Sequence, residues 1–201
     1  MKRKSKEAVM FKRVLLFLLP VFLLLSACAP AIATPIRPVG YGKNITGQPN
    51  FPPLETYWVV DNGCHFSQSA LDYAYKTFDA LDKEHIAQVA VVCQSGIKGG
   101  YSEATTWISE WFNNVGLGSM IDQRAVAVLI RPDVKPEDYR IIIDHNDAFY
   151  WFTPTDEYPI KHEAADWANF NRFDDCLISL ARNINLFMRA KWKVYGPTHT
   201  P

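Results

Sequence analysis

Apolar positions along the chain follow two rhythms that predict strands and helices. Gln88–Cys93 ("QVAVVC") and Ala125–Ile130 are apolar on consecutive positions, the pattern of strands covered on both faces. Tyr57–Val60 is a shorter β-prone run closed by the turn signal Asp61-Asn62-Gly63. Tyr139–Ile143 ("YRIII") reads as a fourth strand. Three-to-four spacing appears after Ser67 and Ser69, at Leu71, Ala74, Phe78 and Leu81, and again after Ser102-Glu103, at Ala104, Trp107, Ile108 and Trp111. A longer stripe, from Phe170 and Phe173 through Leu177, Leu180 and Ile184 to Phe187, predicts one helix over about 166–189. Residues 144–165 lack such a rhythm and read as an irregular acidic and aromatic stretch.

The predicted order is β-α-β-α-β-β-α. The third and fourth strands have no helix between them, so an antiparallel hairpin is the economical connection. Buried strands alternating with amphipathic helices predict an α/β fold, with helices on both faces of a mixed sheet of about four strands.

The N-terminus follows a different pattern. Six basic residues among the first thirteen precede Val14–Leu25, an apolar run shorter than the roughly 20 residues a membrane span needs. Basic flank and short apolar run fit a secretory signal. Leu25-Ser26-Ala27-Cys28 then has the form of a bacterial lipobox. The expectation is a signal peptide over 1–27 and a lipidated Cys28, anchored through its acyl chains to a membrane of the bacterial cell envelope. Residues 28–53, with Pro, Gly, Thr and Asn in abundance and no periodicity, read as the lipidated cysteine and a tether. The folded domain is expected over 54–193 and a short tail over 194–201.

Removing the signal changes the charge. The whole chain is formally neutral, but beyond Cys28 it carries 15 Lys and Arg against 20 Asp and Glu. An acidic surface argues against nucleic acid as a partner. Cys64, Cys93 and Cys176 would then face a compartment that permits disulfides. Their odd number leaves at least one free, and none has C-x-x-C spacing. They read as small apolar residues of the core rather than as a redox or zinc motif.

Gly116 and Gly118 in "VGLGSMIDQRAVAVLIRP" follow a helix and precede a strand. Phosphate cradles run the other way, from strand through glycines to helix N-terminus. Gly116 therefore reads as a left-handed helix cap. Asp122 and Asp61 lie beside strand ends, where ligands of α/β folds bind, and oxygen ligands there suit a hard cation such as Ca²⁺. Asp144 and Asp147, in "DHNDAF", are further carboxylates after the last strand. No Gly-x-Ser-x-Gly elbow is present, and Cys64-His65 are sequence neighbours without an assignable orienting acid. The cluster Phe149, Tyr150, Trp151 and Phe152 reads as a core plug or a partner-facing patch.

"YWVVD", "AQVAVV", "WISEWFNNVGLG", "IDQRAVAVLI" and "YRIII" stand in the order of the motifs of TPM domains, which this chain resembles over about residues 56–190. That family comprises thylakoid-lumen phosphatase-like, photosystem-repair and acetylcholine-receptor-modulator proteins. The resemblance implies a three-layer α/β/α sandwich, extracytoplasmic and membrane-anchored. It implies either a binding or assembly factor for envelope or membrane proteins, with Ca²⁺ bound in some members, or an acid phosphatase. The family's acids at the first and third strands match Asp61 and Asp122. Where the family has Asn-Gly after the second of these, this chain has Gln123-Arg124. Its usual Gly-Tyr-Gly-Leu-Glu is replaced by Asp144-His145-Asn146-Asp147-Ala148. The expected cation site therefore draws on Asp61, Asp122, Asp144 and Asp147. The alternative is a metal-dependent phosphatase on the Asp61/Asp122 edge, with a cation that activates water or steadies phosphoryl oxygens.

Overall fold

The computed structural model describes residues 47–54, 58–118, 124–136 and 139–196. Cys28, its signal peptide, most of the predicted tether and Asp122 lie outside them. Among the described residues no helix is long and apolar enough to cross a membrane.

Strand β1 (Val59–Asn62) leads to helix α1 (Gln68–Lys83), β2 (Gln88–Gln94), α2 (Tyr101–Val115) and β3 (Ala125–Ile130). Then come β4 (Ile141–His145), a 3₁₀ turn (Asp147–Phe149), α3 (Pro154–Asn169) and α4 (Phe173–Tyr195). The strands form one sheet in the order β1-β2-β3-β4. The first three are parallel, and β4 pairs antiparallel with β3 through the predicted hairpin.

Period-two alternation divides the sheet between two cores. Val89, Val91, Cys93, Val126, Val128 and Ile130 face one side, where α1, α3 and α4 cover them with Phe78, Leu81, Leu177 and Ile184. Ala90, Val92, Ala127 and Leu129 face the other, against Trp107, Ile108 and Trp111 of α2. Every residue of β2 and β3 is buried. The result is the mixed four-stranded α/β sandwich with helices on both faces. Full burial of each large apolar side chain contributes about 1.5–3 kcal/mol.

Local signals set the helix ends. The Ser67 hydroxyl accepts the Ala70 amide at 3.3 Å and starts α1. Gly116 ends α2 at φ 66°, ψ 31°, the left-handed cap its position predicted.

Three expectations are corrected. The single helix over 166–189 is two helices, separated at Phe170–Arg172, where Asn171 turns the chain at φ 56°. Phe170 does not join the stripe; it is 76% exposed. Residues 154–165, read as irregular, are helical and form α3 together with 166–169. Pro154 sits in its first turn and Thr153 and Asp156 close a capping box, while a weak apolar stripe of Ile160, Ala164 and Ala168 hid it from periodicity.

The third correction concerns the tether, whose last residues are part of the fold. The indole N–H of Trp107 donates to the Pro49 carbonyl at 3.2 Å, and that of Trp111 to Pro52 at 2.8 Å. The Gln48 side chain exchanges two hydrogen bonds with the Lys98 backbone, each 2.8 Å. Phe51 packs edge-on against Trp107.

Candidate functional site

The carboxyl ends of β1, β2 and β3 lie together because these strands are parallel. At this end the chain leaves β1 through Asp61, whose carboxylate organises the next turn. Its Oδ1 accepts the amides of Gly63 (3.3 Å), Cys64 (2.8 Å) and His65 (3.1 Å), and Oδ2 accepts that of Phe66 (2.7 Å). Gly63 adopts φ 151° and lies so close to Ser95 that a Cβ there would sit 2.1 Å from the hydroxyl. Asn62 donates to the Gln94 side chain at 3.0 Å, and Gln94 donates in turn to the Ser95 carbonyl at 2.8 Å.

This turn returns Cys64 to β2, where it forms a disulfide with Cys93; their Cα atoms are 6.0 Å apart. The reading of all three cysteines as thiols is corrected for this pair. Cys176 is free and buried, and burial pushes its thiol up to about 12. The pairing was missed because it depends on strand order: β1 and β2 are neighbours, with Asp61 opposite Cys93.

Beside this end a cleft of about 710 Å³ opens along β1. One wall is the proline-rich segment Pro49–Pro53, the other includes Tyr75 of α1, and Val59–Asn62 lie between. Of the described residues lining it, Asp61 carries the only formal charge. Among the described residues the lining holds no histidine, cysteine, serine or lysine, so these residues present shape, backbone and one carboxylate rather than a nucleophile with its base.

Asp144 is elsewhere. Asp61 lies in the row that continues through Cys93 and Ile130 to Ile141, whereas Asp144 is three residues further along β4 and opposite Ala127. Three inter-strand steps and three residues of rise separate the two by more than about 15 Å. They stand on opposite edge strands. Asp144 Oδ2 accepts the Ser109 hydroxyl at 2.7 Å, and Oδ1 accepts the His145 amide at 3.0 Å. Asp147 follows it, exposed, at the start of the 3₁₀ turn.

Asp61 therefore cannot share a Ca²⁺ with Asp144 or Asp147, because the ion needs its oxygens within roughly 2.6 Å. The group of possible ligands that does converge among the described residues is Asp61 with Cys64 and Cys93, within 4.8 Å of one another. Two of those three are joined as a disulfide, and sulfur does not suit Ca²⁺. The described residues do not fit the cation.

The aromatic cluster forms a plug at the β4 edge. Phe149 and Phe152 are buried, and Trp151 stacks on Tyr195 with ring centroids 5.5 Å apart, while Tyr150 is 78% exposed. The Lys191 ammonium lies over Trp151 and Phe187 and pairs with Asp156 at 3.1 Å.

Neither a family model nor a curated protein matches the chain. Among solved structures, the chain is similar to the N-terminal domain of the cg2496 protein from Corynebacterium glutamicum, determined by solution NMR. The two are 15% identical, with 67% of this chain and 82% of that one covered at a TM-score of 0.47.

Proposed function

We propose that this chain is a lipid-anchored, extracytoplasmic TPM-like domain that binds or helps assemble proteins of a bacterial cell envelope. The observation that carries the reading is the cleft along β1: a walled groove with one carboxylate and no nucleophile–base pair among its described lining residues. A concave surface with a few polar groups is the default place for a ligand or partner to bind. The Cys64–Cys93 bond supports an oxidising compartment. The lipobox at Cys28 supports the anchor.

Three measurements test this. Cells supplied with labelled palmitate should incorporate it into the chain and not into Cys28→Ala. Photo-cross-linking residues placed at the exposed positions Pro53 and Tyr150 should give discrete adducts with envelope proteins. The purified chain should not hydrolyse p-nitrophenyl phosphate. Turnover abolished both by EDTA and by Asp61→Asn would replace the binding reading with the phosphatase one.

A further inference from the structure

β1 is an edge strand, and its hydrogen-bonding directions follow from the ladder. In a parallel pair, alternate residues of one strand bond the neighbour. The Trp58 carbonyl accepts the Val91 amide at 2.7 Å and the Asn62 carbonyl accepts the Ser95 amide at 3.3 Å. Residues 58, 60 and 62 thus serve β2, and the backbone groups of Val59 and Asp61 are directed away from it, to the edge where no described strand pairs with them. That edge lies between the cleft's two walls, Pro49–Pro53 and Tyr75.

We propose that this groove receives an extended peptide segment of a partner protein, which adds to the sheet as a fifth strand beside β1 and carries a basic group at the Asp61 end. The inference deepens the binding function proposed above and rests on it. Backbone groups of Val59 and Asp61 supply the affinity common to strand addition, and the walls supply selection of alternate side chains. Charge selects the basic group: the described residues of the groove's lining carry a single formal charge, negative, at the end where β1 stops. A second copy of this chain fits less well, since pairing β1 with its symmetry mate would bring two proline walls and two α1 helices against each other.

The test uses the purified chain and a fluorescein-tagged peptide of alternating valine and threonine with lysine at one end. Three measurements apply: fluorescence anisotropy, amide chemical shifts and sedimentation. The expected result is saturable binding, with the largest shifts at Val59 and Asp61. Methylating alternate peptide nitrogens removes the donors to the edge and should weaken binding by about tenfold or more. Exchanging the peptide's lysine for glutamate should also weaken it. Val59→Pro removes an outward N–H while sparing the ladder to β2, and should weaken binding with the circular dichroism unchanged. If that variant does not fold, the methylated peptide still decides the question on the native chain.

Equal affinity for methylated and unmethylated peptides overturns strand addition, as do shifts confined to residues away from β1. So does a chain that dimerises and ignores every peptide. Failure of the probe together with envelope adducts formed only through Tyr150 would leave the binding function standing and remove this mode of it. Absence of adducts at both positions, with EDTA-sensitive turnover, would remove the binding function itself.

Discussion

Asp61 and Cys64 are joined by a 2.8 Å hydrogen bond from amide to carboxylate, three residues apart in a turn that a disulfide closes from the other side. The carboxylate takes four amides in all, so its role in the described structure is to hold the turn. Asp61→Ala should lower stability by about 1–3 kcal/mol, because several backbone donors lose a charged acceptor. Urea unfolding measures the loss, and amide exchange should quicken at Cys64, His65 and Phe66. An unchanged exchange pattern there would show that the turn does not depend on the carboxylate.

The disulfide links residues 29 apart in sequence. Chain-entropy arguments give a loop of this size about 3–4 kcal/mol of stabilisation. Cys64→Ser with Cys93→Ser should lower the thermal midpoint accordingly, and a reducing agent should do the same to the native chain. Cys176, its thiol pushed up to about 12 by burial, should resist iodoacetamide at pH 8 in the folded chain and react once the chain is unfolded. Rapid modification of the folded chain would place that thiol at the surface.

Gln88 begins β2 with a buried side chain that accepts the Gly118 amide at 2.7 Å and donates to Asp82 at 3.0 Å. It joins the glycine turn after α2 to the end of α1. Gln88→Leu keeps the volume but strands the Gly118 amide, and should cost about 1–3 kcal/mol in denaturant unfolding. A neutral result would mean that water or a shifted turn replaces the bond.

Glu163 and Arg182 tie α3 to α4. The Arg182 guanidinium, hydrogen-bonded to the Glu163 carboxylate, holds it down from an ordinary 4.5 to about 2, helped by Ser179. A depressed carboxylate stabilises the fold above pH 4.5 and loses that effect as pH falls toward 2. Both side chains are nearly half exposed, so solvent screening limits the pair to a few tenths of a kcal/mol, at most about 1. The urea midpoint of Glu163→Gln should lie slightly below that of the native chain at pH 7, and the two should converge near pH 2. A constant difference across that range would assign the effect to packing.

β2 and β3 were legible because burial on both faces leaves unbroken apolar runs, and α1 and α2 because each presents one wide apolar stripe. Helix α3 was not, since its buried positions are Ile160 and two alanines and its sequence contains Pro159. The position of Asp61 at a strand end was also legible. Its distance from Asp144 was not, because neither residue's local sequence encodes that β1 and β4 form opposite edges. The anchoring of residues 48–53 escaped for a related reason: the indoles that hold Pro49 and Pro52 lie 58 and 59 residues further along.

That anchoring has a consequence for the open side of β1. Pro49, Pro52 and Pro53 have no backbone N–H, and the Pro49 and Pro52 carbonyls accept the Trp107 and Trp111 indoles. A stretch so constituted cannot zip onto its neighbouring strand as an internal decoy. The molecule carries its own barrier against self-pairing on the side from which a guest would approach.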